Sequence, residues 1–372
     1  MGVSLIVALV LWRHALWQSV TLAATVFLLG ATLASGQRDQ LSAAQERGLT
    51  VRQWQRQQQA PDADNRLGRS RLHFLQLRER VLQRYRQQGL DGEAYAMVAA
   101  MSVGDKSAVS KDVRQSYNVS GAAHVLALSG LHMGIIYALL TLLTSRLRLR
   151  LLSQTVIVLS LWAFVFLVGM PPSAVRSATM LSLYALLSLG YRQHTSVNAL
   201  AFTAIVILIV SPYTLFDIGF QLSFVSVLSI LVWLPIMERW VPLDLQQRHR
   251  MVRWLWGMTA VSLAAQLGAA PLVAYYFGRF STYFLLTNFL AIPAVMLILY
   301  LALGTLLWAP LAVVLSTVVS LLNKGLAAIS RWPLASIENL QPSGLQIALI
   351  YLLILAAYWL YVLFSPSASR SR

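Results

Sequence analysis

Apolar residues in this chain are gathered into long unbroken runs rather than spaced at a strand or amphipathic-helix period. Runs of about 17 to 25 residues, long enough to cross ~30 Å of hydrocarbon at 1.5 Å per residue, recur from residue 15 to residue 364. None alternates residue by residue as a barrel strand would, so the expected fold is all-α, a polytopic transmembrane bundle of about nine or ten spans. Spans are expected at 15–34, 121–144, 151–170, 174–190, 196–210, 219–236, 255–276, 284–308, 311–330 and 344–364. The 311–330 run carries Asn323 and Lys324 near its end, so a partly interfacial placement is the alternative there. The opening run Val3–Trp12 is too short to span and no basic stretch precedes it, which argues against a signal peptide. It reads as half of a helix whose beginning is missing from this sequence.

Residues 36–118 form the one long polar region. Its first half, Gln/Arg-rich and containing the turn-like Pro61-Asp62-Ala63-Asp64-Asn65, reads as a linker. Arg69–Gln88 then reads as a basic helix with Phe74, Leu77, Val81, Leu82 and Tyr85 on one side, interrupted by Arg71 and Arg78. Such a helix suits a membrane surface, and its arginines and aromatic rings equally suit a polyanion with bases to stack. The domain reading is an N-terminal membrane segment over 1–35, an external linker and basic helix over 36–95, a transmembrane domain over 96–364 and a cytoplasmic tail over 365–372.

Composition agrees with the pattern. With 58% hydrophobic and only 11% charged residues, the chain has more apolar surface than one soluble core can hide, and bilayer is its natural solvent. The net charge of +16 follows the bias of cytoplasmic loops toward Lys and Arg. In the short loops these residues divide eleven to four, which places Arg146, Arg150 and Arg253 in the cytoplasm and both termini inside. The 36–118 region then lies outside, as a long loop can regardless of charge.

The absence of cysteine removes disulfides and thiolate chemistry. No Gly-x-x-x-x-Gly-Lys-Ser/Thr phosphate loop is present, and the six histidines are scattered rather than clustered as a two-metal hydrolase requires. No enzyme activity, cofactor or metal is expected.

Candidate chemistry concentrates in a few blocks. Gly104-Asp105 reads as a turn, with a helix N-cap as the plain role for Asp105. Ser129 and His132, three apart, put a hydroxyl and an imidazole into an apolar segment, either as glue between helices or as the lining of a watered path. Gly130 and Gly134 share a face where another backbone could approach closely. His124 reads as interfacial. Arg176 enters an apolar helix after Pro171-Pro172, so it snorkels, pairs with Asp217 or meets a phosphate; Asp217 and Gln221 are four apart on one face.

The run Val103–Ser107, the run Gly121–Gly134 ending in Ser129-Gly130-Leu131-His132, the block Pro172-Ser173-Ala174-Val175-Arg176 and the run Asn198–Phe224 with Asp217-Ile218-Gly219-Phe220-Gln221-Leu222-Ser223 together resemble the ComEC family of competence channel proteins. The resemblance covers roughly residues 70–364. It implies a channel that passes single-stranded DNA across the bacterial cytoplasmic membrane in natural transformation, with other competence proteins supplying DNA capture, nuclease and energy. Many family members carry a metallo-β-lactamase-like domain and an OB-like domain that this sequence does not contain. The alternatives are a secondary transporter of a small anion or metabolite, which would share midplane polar residues, and an inactive remnant.

Overall fold

The computed structural model describes residues 66–146, 149–188 and 196–364. The expected span at 15–34, the 36–65 linker and the 365–372 tail lie outside the described residues. Helices dominate: α1 Arg66–Gln87, α2 Gly92–Val103, α3 Lys111–Ser120, α4 Gly130–Thr144, α5 Arg150–Leu167, α6 Pro172–Ser188, α7 Ser196–Val210, α8 Ile218–Met237, α9 Leu243–Arg248, α10 Arg250–Phe277, α11 Phe284–Leu307, α12 Leu311–Ser330 and α13 Gly344–Phe364. Two short strands, β1 Phe280–Ser281 and β2 Ser336–Ile337, pair antiparallel with Phe280 opposite Ile337.

Six helices are long and apolar enough to cross a bilayer: α5, α8 with its extension to Trp240, α10, α11, α12 and α13. The shorter apolar helices are α4 and α7. The chain is thus a helical, multi-pass membrane protein, with six such helices among the described residues; the expected nine or ten spans include the 15–34 run, which lies outside them. The largest departure is at 121–144, where the α-helix begins only at Gly130. Gly121 is left-handed at φ 90° and Ser129 is extended at φ −116°, ψ 176°, so residues 121–129 form a turn around a short 3-10 segment instead of two helical turns.

The described residues divide into two compact units. The first takes in 66–114, Ala123–Phe224 and Ala291–Lys324. Its core sets Leu128 and Met133 against Ile157, Leu161 and Val165 of α5 and Ala174 and Ala178 of α6. The alanines, four apart, remove bulk from α6 where α5 approaches; in lipid, where burial of apolar area gives little drive, such close contact supplies the attraction.

Helix α2 was not foreseen inside the polar region. Every residue from Tyr95 to Val103 is buried, the signature of a helix that is apolar on all sides. It starts after Asp91 in extended conformation, carries Glu93 in its first turn, where an acid suits the helix dipole, and stops at Gly104 in the left-handed region. The boundary between 95 and 96 drawn from sequence falls within it. Outside it, α1 lays Phe74 flat on Phe166 at 5.6 Å and buries Leu82 and Tyr85.

The second unit comprises Gln115–Ala122, Val225–Leu290 and the described residues from Gly325 on. Helices approach closely at Gly268 of α10, where a Cβ would lie 2.6 Å from that of Ser229 and 2.7 Å from the Val225 carbonyl oxygen. Ser229 Oγ donates to the Ala264 carbonyl at 2.6 Å and Tyr351 Oη to that of Gly268 at 2.7 Å, so hydroxyls fasten helices that small residues bring together.

Candidate functional site

Helix α4 opens with a reciprocal cap. Ser129 is the N-cap and His132 the third helical residue, and their side chains serve each other's backbone N–H groups as a capping box. Ser129 is therefore not a neighbour of His132 along a helix face, as its spacing suggested, but the residue that ends the preceding turn. The Ser129 N–H donates to His132 Nδ1 at 3.4 Å, and Ser129 Oγ lies 3.1 Å from the same nitrogen. With Nδ1 accepting, a neutral ring carries its proton on Nε2. His132 is fully buried, and Nε2 finds no hydrogen-bond partner among the described residues. An unmet buried donor costs on the order of 1–3 kcal/mol, so the segment holds a polar group it does not use for its own stability.

The N-terminal part of α6 links this cap to a second polar centre. Ser173 Oγ donates to the Leu128 carbonyl at 2.5 Å, just before the cap. A Cβ on Gly130 would stand 3.4 Å from Ser177 Oγ, an ordinary contact with a side-chain atom. One on Gly134 would meet nothing within 4 Å among the described residues, which bring no backbone close to the Gly130–Gly134 pair.

On α6 between these serines, the Arg176 guanidinium is buried and lies 3.5 Å from Asp217 Oδ1, while its Nε donates to Ser223 Oγ at 3.1 Å. The same Asp217 oxygen accepts the Phe220 N–H at 2.8 Å and so caps α8. Gly219 admits the arginine: a Cβ there would sit 3.0 Å from Nη2 and 3.1 Å from Asp217 Oδ1. Gln221 turns its amide to the Leu215 carbonyl at 3.0 Å, holding the 3-10 turn before α8. His124 is exposed in the segment Ala123–Val125.

Gly104 ends α2 rather than beginning a helix, since the Asp105 N–H closes back on the Ala99 carbonyl at 3.0 Å. A Cβ at Gly104, whose φ is 76°, would strike Leu128 Cδ1 at 2.7 Å. Asp105 is 3.9 Å from Arg78 of α1 and accepts the Ser107 N–H at 3.0 Å. Burial alone would raise this carboxyl, but the hydrogen bonds from Ser107 and the charges of Arg78 and Arg86 hold it below the usual carboxylate range.

The sequence model of the Competence protein family matches residues 101–364. The chain belongs to that family. It is 36% identical over 205 residues to ComE operon protein 3 of Bacillus subtilis (strain 168), covering 55% of this chain and 25% of that protein. An uncharacterized protein of Aquifex aeolicus is 30% identical over 205 residues, 54% of this chain and 45% of its own length. Recombination protein 2 of Haemophilus influenzae is 23% identical over 230 residues, 58% and 29% of the two chains. The chain spans between a quarter and just under half of the length of these relatives. No solved structure is significantly similar to it.

The cap, the Arg176 pair and the Gly104 turn all fall inside the region matched by the Competence model, whereas α1 precedes it. Ser129, His132, Arg176, Asp217 and Gln221 stand out in the sequence as candidates, whereas Ser173, Ser177, Gly219 and Ser223 stand in or beside the family-like blocks without a role of their own and are found here beside them. The available signal was Ser173 and Ser177, four apart on either side of Arg176, and a glycine two residues after Asp217. Among the described residues no group of three or more His, Cys, Asp or Glu side chains is placed to hold a metal ion.

Proposed function

We propose that this Competence-family chain acts in DNA uptake, as part of the path by which a single strand crosses the cytoplasmic membrane during natural transformation. The observation that carries the reading is the family match over residues 101–364. The name of the Bacillus subtilis relative, a ComE operon protein, and that of the Haemophilus influenzae relative, a recombination protein, point the same way.

The physical demand of the task fits the candidate site. A strand with one charge per nucleotide cannot enter ~30 Å of hydrocarbon unless polar groups replace its water. The Nε2–H of His132, held in orientation by Ser129 and without a partner among the described residues, is such a group; it is fully buried here, so a phosphate or base acceptor reaches it once the helices around it part. Arg176, already joined to Asp217 and Ser223, has the part of a structural anchor rather than of a phosphate contact. Transport rather than catalysis is assigned to the chain. DNA capture, strand degradation and the energy for import fall to partner competence proteins.

The test is import of a labelled DNA strand into cells with a clean deletion, with and without the gene restored. Import should require the chain. Normal import in the deletion, or uptake of a small anion lost in its place, would remove the reading.

A further inference from the structure

The basic helix α1 lies outside the region that the family model covers, and its side chains divide sharply. Phe74, Leu75, Arg78, Val81, Leu82 and Tyr85 turn inward. Phe74 stacks on Phe166, Tyr85 is buried, and Leu75 lies beside Gly169. Arg78 is tied to Asp105, and Arg86 lies over the Tyr95 ring at 4.5 Å.

What remains outside is polar. At 100° per residue, His73, Gln76, Arg80, Gln83, Arg84 and Gln87 fall within an arc of about 120°, and all six are exposed. Arg80 and Arg84 make no ion pair among the described residues, and they stand four apart, one above the other on the helix surface. Leu77 is the one apolar residue in this arc, and Glu79 flanks it as its only nearby acid on the helix.

This division bears on what the ridge can hold. A helix that lies in a membrane surface needs a free apolar face to bury among acyl chains, and here that face is taken up inside the protein, with Phe74 on Phe166 of α5, Leu75 beside Gly169, and Leu82 and Tyr85 buried. Bases cannot stack on Phe74 or Tyr85 either, because both rings are occupied. What is left to a ligand is a row of cations and amides about 21 Å long, at 1.5 Å per residue from residue 73 to residue 87. We propose that this outward ridge of α1, centred on Arg80 and Arg84, binds the sugar-phosphate backbone of single-stranded DNA without reading its sequence. The assignment rests on the DNA-uptake reading above and extends it to a segment that the family model does not cover.

The experiment uses the full chain in neutral phosphatidylcholine nanodiscs and a labelled 20-nucleotide oligothymidylate, with affinity measured across salt concentrations. For single strands each phosphate contact contributes about 0.7 to the slope of log affinity against log salt. The double variant Arg80→Gln/Arg84→Gln should flatten that slope by about 1.4, so the affinity ratio between 50 and 200 mM salt shrinks about sevenfold. Glu79→Gln should tighten binding. Both sets of side chains are exposed, so thermal melting should not move. An unchanged slope in the double variant, with wild-type DNA import in cells, overturns the ridge and leaves the uptake reading standing. An unchanged slope combined with lost adhesion to phosphatidylglycerol vesicles assigns the ridge to anionic lipid and also overturns the proposal. If the unaltered chain shows no salt-dependent binding and its deletion has no effect on import, the uptake reading itself falls, and the ridge with it.

Discussion

Two polar centres sit within one unit of this membrane protein, joined by the first turns of α6, and they are built on opposite principles. Around Arg176 the charge is closed: Asp217 and Ser223 take the guanidinium, Asp217 also caps α8, and Gly219 leaves the space. Around His132 the chemistry is left open, since Ser129 fixes the ring through Nδ1 while Nε2 stays buried and unmet among the described residues. A closed centre accounts for itself by stability. An open one costs stability, and that cost asks for a use beyond the fold.

The sharpest way to break the comparison is to delete the open group. His132→Ala removes a buried donor that has no partner among the described residues, but also the Nδ1 acceptor of the Ser129 N–H; the two effects oppose each other, so the folded protein should stay within about 1 kcal/mol of the wild type. Import of a labelled strand, normalised to membrane protein, should nonetheless fall by about tenfold or more, the scale of losing one interaction of ~1.4 kcal/mol or above along the path. Ser129→Ala keeps the ring and the backbone N–H that holds Nδ1 but removes the Oγ beside that nitrogen, and should give a smaller loss of import together with about 1 kcal/mol of cap stability. Wild-type import in both variants would make the cap a packing device and erase the contrast with Arg176.

The closed centre predicts the reverse pattern, and an asymmetry inside it. Asp217→Ala strands a buried guanidinium and removes the α8 cap, for a loss on the order of 2 kcal/mol, below that of a fully buried pair because Asp217 is half exposed. Arg176→Met leaves behind a carboxylate that water can reach and should cost less. Chemical unfolding in detergent would measure both, and import should follow the amount of folded protein. Equal costs, or loss of import at normal abundance in Arg176→Met, would place the arginine in the path instead.

How far these centres could be read in advance depends on what carried the signal. Long apolar runs survive any context, so 284–308, 311–330 and 344–364 correspond closely to α11, α12 and α13. The start of α4 was read about nine residues early, because 121–129 is as apolar as a helix and its ending depends on two local events: the left-handed Gly121 and the Ser129 cap. Histidine at the third helical position is not the Glu or Gln that usually marks a capping box, so the cap was hidden. Helix α2 was hidden for another reason. Its twelve residues are too few for a span, and its polar flanks made the whole region look external. Glycine was the least legible residue. Gly130 and Gly134 had the spacing of a packing pair, yet the consequential glycines are Gly219, beside Arg176, and Gly104, against Leu128.

Acid offers a milder test, aimed at the tie between α1 and the Gly104 turn. The Asp105 carboxyl is held below its ordinary range in the folded protein, by Ser107 and by Arg78 and Arg86 against the opposing effect of burial. A group whose folded value is depressed contributes stability above its unfolded value and loses it as pH falls through the folded one. Protection of the α1 amides, taken against the intrinsic exchange rate at each pH, should therefore be constant near neutral pH and fall as the carboxyl takes up its proton, below the usual carboxylate range. Asp105→Asn should show the lower protection already at neutral pH and no further change on acidification from this group. An acid response that persists unaltered in Asp105→Asn would remove the Arg78 tie as its cause.

The smallest effect is expected at Gly134, where the two ways of reading a glycine part company. If its lack of a side chain admits a neighbouring helix, Gly134→Ala must force that neighbour away and destabilise the protein. Among the described residues the space around it is open, with nothing within 4 Å of an added Cβ, and its φ lies in the ordinary helical region. Alanine there should remove the helix penalty of glycine without any clash, for a gain of up to about 1 kcal/mol. Gly219→Ala, where the Cβ would lie 3.0 Å from the Arg176 guanidinium, should instead lose stability by a similar amount. Melting both variants side by side decides the matter. Opposite shifts would tie the glycine requirement to the closed centre, whereas a loss at Gly134 as large as that at Gly219 would restore the packing-pair reading of α4.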